Sequence, residues 1–213
     1  MTKTINAIGP DYEKLVTALH TEGLAVIDHF LTANEVQILR GMALDIMSQS
    51  GFRPAGIGQG QTFQQNQRIR TDHIHWIDPD SWYPGTEIYP QRLDSLITAL
   101  NRMCFLGIRD YELHFAWYDR GHFYRRHLDV FQQDQSRKLS VIAYLNVDWQ
   151  PGDGGELVVY LPQADGAEEA REIAPLPGRL VCLDSTQIEH EVLPALQPRL
   201  SITGWLKDEK RLF

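Results

Sequence analysis

The stretch Arg199-Leu-Ser-Ile-Thr-Gly-Trp-Leu206 alternates in character from one residue to the next. Successive side chains of a β-strand point to opposite faces. One face therefore carries Leu200, Ile202 and Leu206, and the other carries Arg199, Ser201, Thr203 and Trp205. A row of Arg, Ser and Thr is unusual for core packing. It offers what a carboxylate-binding wall needs, a guanidinium fork with hydroxyls beside it.

The sequence before this stretch continues the β pattern. Strands are predicted at 113–118, 138–146, 157–161 and 179–183, and turns rich in Gly, Pro and Asp separate them. Several short strands at such spacing predict a sandwich or barrel. In the strand at 138–146, Ser140, Ile142 and Tyr144 share one face, and the Tyr144 phenol can hydrogen-bond to the same carboxylate as Arg199.

The N-terminal half is predicted to be mainly helical. Asp11 can cap a helix that Gly23 ends, a strand follows at 24–27, and Thr32 and Glu35 form a capping box before a second helix. A third helix is predicted at 92–103. The glycine- and glutamine-rich segment 51–67 is predicted to be a mobile loop.

Helices followed by strands indicate an α+β fold in which N-terminal helices buttress a jelly-roll β core. We expect a single domain over residues 1–213. Residues 1–106 would hold the helices and the loop, and residues 107–206 the β core.

A possible metal site is formed by His127, Asp129 and His190. Residues two apart on an extended segment point to the same side, so His127 and Asp129 can converge on one ion. His190 lies just beyond a predicted strand. Two histidines and a carboxylate suit a non-haem Fe(II) oxygenase, but three protein ligands plus water describe catalytic zinc equally well. The similar pair His20 and Glu22 is better explained as the solvated end of the first helix.

The composition limits the classes of partner and the cellular compartment that we expect. The formal net charge is -8 and the pI is about 5.4, which argues against nucleic acid, since such binders usually carry a basic face. The only cysteines, Cys104 and Cys182, exclude a disulfide framework. No secretory signal and no membrane span is recognisable. We therefore expect a cytoplasmic protein.

The C-terminal half closely resembles the 2-oxoglutarate- and Fe(II)-dependent dioxygenases, specifically prolyl 4-hydroxylases of the oxygen-sensing type. The resemblance runs from about residue 70 to 206. The matching motifs are Ile69-Arg70-x-Asp72-x-Ile-x-Trp76, Tyr118-x-x-Gly121-x-x-Tyr124-x-Arg-His127-x-Asp129, Ile142-x-Tyr144-Leu-Asn-x-Asp-Trp149, Gly154-Gly155-Glu-Leu157, His190-Glu-Val192 and Arg199-x-Ser-Ile-Thr203-x-Trp205.

The resemblance implies a double-stranded β-helix with Fe(II) held by His127, Asp129 and His190. Arg199 would bind the distal carboxylate of 2-oxoglutarate, and the rest of the co-substrate pocket would come from Tyr144, Tyr118, Thr203, Ser201, Trp205 and Ile142. Arg70, Asp72, Trp76 and Tyr124 would face a protein or peptide substrate that presents a proline, and the 51–67 loop would close over it. O2 would be the second co-substrate, with ascorbate as a possible reductant.

Two alternatives stay open at this point. One is a 2-oxoglutarate oxygenase that acts on a different residue, a nucleic acid or a small molecule. The other is a zinc-binding or metal-free protein of the same fold that only binds a ligand.

Overall fold

The computed structural model describes residues 11–58, 64–130 and 136–209. Its helices are α1 (Tyr12–Glu22), α2 (Ala33–Ser48) and α3 (Ile88–Cys104), with a short 3₁₀ helix at Pro79–Ser81. Its strands are β1 (Leu24–Ile27), β2 (Arg53–Pro54), β3 (His73–Trp76), β4 (Asp110–Tyr118), β5 (Tyr124–His127), β6 (Arg137–Tyr144), β7 (Leu157–Pro162), β8 (Glu168–Ile173), β9 (Leu180–Asp184), β10 (Glu189–Val192) and β11 (Arg199–Lys207).

The helix boundaries follow local capping. The Asp11 side chain accepts a hydrogen bond from the Lys14 amide at the start of α1, and Gly23 ends this helix at a φ of 69°. Both halves of the predicted capping box of Thr32 and Glu35 are present at α2. The third helix begins at Ile88, earlier than predicted. Pro90 lies in its first turn, where a proline is tolerated because the missing N–H would have no intrahelical partner.

The strands form two antiparallel sheets. The larger sheet has the order β1-β9-β6-β11-β4-β3-β2, and the smaller sheet has the order β5-β10-β7-β8. The predicted α+β architecture with a jelly-roll core is therefore confirmed. The strand at 199–206 becomes β11, which is hydrogen-bonded to β4 on one side and β6 on the other.

The two faces of the larger sheet serve different purposes. Leu200, Ile202 and Leu206 are buried in one core together with residues of the three helices. Ile142 and Tyr144 of β6 belong to a second core, shared with Leu157 and Val159 of the smaller sheet. The alternation in the sequence thus separates the helix-covered face from the face between the sheets, where the candidate site lies.

Several strands were missed or misplaced by the sequence pattern. His190 lies beyond β9, as predicted, but within a strand of its own, β10, which the pattern missed. Strand β8 was missed because its sequence, Glu-Glu-Ala-Arg-Glu-Ile, is largely exposed and does not alternate. In the predicted loop, β2 and a bridge between Ile57 and Gln64 give the flanks β structure, while residues 59–63 lie outside the described residues. None of the helices in the described part of the chain has the length and hydrophobicity that a membrane span requires.

Candidate metal and co-substrate site

The predicted ligands His127, Asp129 and His190 converge on one point. One donor atom from each lies within 4.8 Å of the others. His127 and His190 face each other in the register of β5 and β10. Asp129 follows β5 by two residues, and its Oδ1 and Oδ2 lie 3.5 Å from Nε2 of His127 and 3.4 Å from Nε2 of His190. His20 and Glu22, by contrast, are exposed at the end of α1.

Both imidazoles are fixed by backbone carbonyls. Nδ1 of His127 lies 2.7 Å from the Arg125 carbonyl oxygen, and Nδ1 of His190 lies 3.2 Å from that of Ile188. A carbonyl oxygen only accepts, so Nδ1 carries the proton in each ring and donates it. The lone pair of each Nε2 is therefore available to a metal ion, which is the usual arrangement for histidine ligands.

The charge states of His190 and Asp129 suit a metal site. Burial, together with the neighbouring His127, lowers the pKa of His190 to about 4, so this ring is neutral near pH 7. Burial opposes ionisation of Asp129. His190, His127 and the Ser140 hydroxyl outweigh it and hold the pKa of its carboxyl well below its usual range. An anionic carboxylate and neutral imidazoles are the forms that bind a divalent ion.

The polar row of β11 is linked to this triad through β6, since Trp205 is the register partner of Ser140, which donates to Asp129. Arg199 is 2% exposed, and its Nη1 donates to Oγ of Ser201, which lies 3.1 Å from Oγ1 of Thr203. The Arg199 guanidinium carbon lies 4.8 Å from the ring centroid of Tyr118 and 4.9 Å from that of Tyr144. Trp205 is also buried, and Ile142 is the register partner of Thr203.

Two buried polar atoms, one on β11 and one on the neighbouring strand β6, point to a bound anion. Nε of Arg199 and the hydroxyl of Tyr144 have no hydrogen-bond partner among the described residues. Burial raises the pKa of Tyr144, so its phenol stays protonated and can donate. Buried donors without partners are costly and uncommon in folded proteins. A guanidinium and a phenol in such a place fit the carboxylate of an acid such as 2-oxoglutarate, and the triad fits Fe(II).

Gly155 shapes the same wall. A Cβ atom at this position would lie 3.0 Å from Cδ of Arg199, and the residue has a φ of 74°. A side chain there would be strained and would push against the arginine. Gly155, in the turn before β7, therefore has a packing role next to Arg199.

Three of the four predicted substrate residues form one stack that ends on a metal ligand. Arg70 makes a two-pronged ion pair with Asp72, with distances of 2.8 Å and 2.6 Å. The Arg70 guanidinium lies 4.1 Å from the ring centroid of Tyr124, which in turn stacks on His127 at 3.6 Å. Arg70 also donates to the carbonyl of Gly56 in the 51–67 segment. Asp72 is fully buried, so it acts through Arg70 and is not itself exposed to a substrate.

The fourth predicted residue, Trp76, lies apart from this stack. It is 49% exposed, and its ring centroid is 6.0 Å from that of Trp205 and 5.0 Å from that of His114. Trp76 thus links the surface to the inner wall formed by Trp205.

Sequence reasoning missed two residues of the site. Ser140 donates a 2.6 Å hydrogen bond to Oδ2 of Asp129. His114 is 3% exposed beside Trp205, and burial lowers its pKa to about 3. Strand alternation places both on the inner face, but it does not reveal which atoms they contact.

Comparison with known proteins agrees with this geometry. Residues 113–207 match the model of the 2OG-Fe(II) oxygenase superfamily. The chain is 39% identical in sequence to a prolyl-4-hydroxylase from Pseudomonas putida of known crystal structure. The match covers 93% of this chain and 100% of the other, with a TM-score of 0.81.

Two further relatives support the same grouping. A Trichoplax adhaerens prolyl hydroxylase, solved in complex with a peptide fragment of the hypoxia inducible factor oxygen degradation domain, is 30% identical with a TM-score of 0.80. That match covers 92% of this chain and 89% of the other. Human Egl nine homolog 1 is 29% identical over 97% of this chain and 49% of its own length. The chain therefore spans about half the length of the curated relatives it matches.

Proposed function

The chain belongs to the 2OG-Fe(II) oxygenase superfamily and, within it, to the prolyl hydroxylases, and on this premise we propose that it hydroxylates C4 of a prolyl residue in a protein or peptide. In the reaction, 2-oxoglutarate and O2 are converted to succinate and CO2. The observation that carries the proposal is a pair of buried donors, on Arg199 and Tyr144, that have no hydrogen-bond partner in the described part of the chain and lie in the same interior as the His127, Asp129 and His190 triad.

The residues of the chain position the reactants. Arg199 and Tyr144 bind the distal carboxylate of 2-oxoglutarate and so direct its keto acid end towards the triad. Tyr118, Ile142 and Trp205 line the pocket and exclude water from it. Iron, when bound, supplies the oxidative chemistry, in which decarboxylation of 2-oxoglutarate is coupled to hydroxylation of a C–H bond.

The surroundings of Trp76 support a large substrate. A groove of about 830 Å³ adjoins it, with Pro79, Trp82, Arg109 and Tyr111 among the lining residues. We assign Trp76, Tyr124 and Arg70 to the substrate side, with Asp72 holding Arg70, and the 51–67 segment to closure over the substrate. Closure of such a segment would keep water from the reacting centre.

We also propose a cytoplasmic location, in which ascorbate serves as reductant for the iron. Both cysteines, Cys104 and Cys182, are free thiols, as is usual for proteins of a reducing compartment.

The co-substrate assignment is tested by anaerobic titration of the Fe(II)-loaded protein with 2-oxoglutarate. We expect a visible charge-transfer band, which a Zn(II)-loaded sample does not show. Absence of the band would favour a protein that only binds a ligand.

The reaction is tested by incubation with Fe(II), 2-oxoglutarate, ascorbate and a lysate from cells that lack the enzyme. Mass spectrometry should find one added oxygen on proline, and the Asp129→Ala variant serves as the control. Oxygen added only to other residues would retain the oxygenase and reject the prolyl substrate.

A further inference from the structure

We propose that Ser140, oriented by Ser185, is a positioning residue for the metal site, which holds Oδ2 of Asp129 so that Oδ1 is presented to the ion. The inference rests on the proposed metal site and not on the identity of the substrate.

The contact between Ser140 and Asp129 is short and buried. Ser140 lies on β6 with no exposed surface, and its Oγ is 2.6 Å from Oδ2 of Asp129. Asp129 itself lies outside the strands, after the end of β5, so its side chain is not oriented by a sheet ladder. Nη1 of Arg137 donates to the Asp129 carbonyl at 3.0 Å and fixes the backbone. The serine then fixes the carboxylate.

The direction of the hydrogen bonds follows from proton counting. A hydroxyl has one proton to donate, and an ionised carboxylate only accepts. Ser140 therefore donates to Asp129. Its Oγ lies 2.8 Å from Oγ of Ser185, so Ser185 must be the donor in that pair. Ser185 is also fully buried. The result is a chain of donors that runs from Ser185 through Ser140 to the carboxylate, in which each bond strengthens the next.

This chain of donors acts on a carboxylate that lies close to both imidazoles. The Nε2 lone pairs of His127 and His190 face the carboxylate oxygens at 3.5 Å and 3.4 Å. A donor on Oδ2 fixes the rotation of the carboxylate and so preorganises the site. It also discourages both oxygens from binding the ion at once. Only a single-oxygen ligand leaves the open positions that the proposed co-substrate and O2 require.

The test measures Co(II) affinity in the absence of 2-oxoglutarate, by titration calorimetry and by the visible d–d spectrum. We expect Ser140→Ala to weaken Co(II) binding by about 10- to 100-fold, the usual effect of removing a hydrogen-bond partner of a metal ligand. Ser140→Thr keeps the hydroxyl and should bind Co(II) much as the wild type does. Ser185→Ala should weaken binding in the same direction but less, because the hydroxyl of Ser140 remains.

Thr86→Val is the matched control. Thr86 is fully buried ahead of α3, and its hydroxyl donates to the Tyr83 carbonyl at 2.8 Å, outside the site. The same hydroxyl accepts from the Tyr83 amide at 2.9 Å, so this variant loses two hydrogen bonds and some stability, but its Co(II) affinity should not change.

A folded Ser140→Ala protein that binds Co(II) as tightly as the wild type would overturn the proposal. If Ser140→Ala does not fold, unchanged affinity in Ser185→Ala would overturn it instead. Equal losses in Thr86→Val would also overturn it, because the effect would then be general destabilisation. Since the titration needs no substrate, failure of the proposed prolyl hydroxylation would leave these results unaffected.

Discussion

Replacing Arg199 by methionine should specifically destroy 2-oxoglutarate binding. Arg199 is 2% exposed, so its bond to a carboxylate would be made out of water. Removing one partner of a buried, hydrogen-bonded charge pair costs about 2–5 kcal/mol. At about 1.4 kcal/mol for each factor of ten, this is about 30-fold to several thousand-fold in affinity. Tyr144 stays in place as a second donor, so we expect the lower part of that range, about 30- to 300-fold.

Steady-state succinate formation at varied 2-oxoglutarate concentrations gives the KM, and the charge-transfer band of the anaerobic Fe(II) protein gives the Kd. Arg199→Lys keeps the charge but loses the forked guanidinium, so its KM for 2-oxoglutarate should lie between those of the wild type and Arg199→Met. Arg179→Met is the control outside the site, since Arg179 pairs with the exposed Asp28. A KM for Arg199→Met within about threefold of the wild-type value would refute the assignment, because the loss would be under about 0.7 kcal/mol.

Thermal melting provides a second readout of the same variant. Among the described residues Arg199 has no carboxylate partner, so its charge adds little to the stability of the free protein and methionine should not lower the melting temperature. In the wild-type metal complex, 2-oxoglutarate at 100 times its Kd should add about 2.7 kcal/mol. For a domain of this size that is a rise of about 5–11 °C. Arg199→Met should lack this rise.

Three further outcomes are expected. Asp129→Ala should abolish 2-oxoglutarate turnover with an unchanged circular dichroism spectrum, since the anionic ligand is lost; full turnover would contradict the triad. In the metal-free protein, His114→Phe should reduce the fall in the free energy of unfolding at acid pH, measured by urea titrations. The pKa of His114 is about 3 in the folded protein and about 6.5 in the unfolded chain. The unfolded chain therefore takes up the proton first, and the free energy of unfolding falls as the pH drops below about 6.5. An unchanged dependence of the free energy of unfolding on pH would mean that this ring is not buried in its neutral form. Asp72→Asn leaves the buried Arg70 unpaired and should lower the free energy of unfolding by about 3–5 kcal/mol, with a loss under about 1 kcal/mol counting against the buried pair.

The sequence predicts those elements in which burial imposes a period. β11, β6 and the first two helices have one apolar face against a core, and their patterns predicted them closely. β5 and β10 carry ligands and ion-paired residues instead of an apolar row, so they leave little periodic signal. Arg126 of β5, for example, pairs with Glu168 and Glu189 across the outer face of the smaller sheet.

The residues of the candidate site were also predicted only in part. Side chains of distinctive chemistry, such as Arg199 and the two histidines, could be recognised in the sequence. Ser140 and His114 could not, because a serine or histidine on an inward face has many uses. Only the contact of Ser140 with Asp129, and the aromatic neighbours of His114, show what surrounds them.

The placement of His127 on β5 affects how the chain holds together. β5 is an outer strand of the smaller sheet, and its ladder to β10 is irregular between His190 and Val192. An ion bound by His127 and His190 would cross-link these two strands, which are far apart in the sequence. Loss of the metal would then weaken the pairing of β5 with β10 at the edge of the smaller sheet, as well as remove the reactive centre. The other side of β5 would stay held by residues 69–71, where the Arg125 amide donates to the Ile69 carbonyl at 2.8 Å, so metal loss would act on the contact with β10.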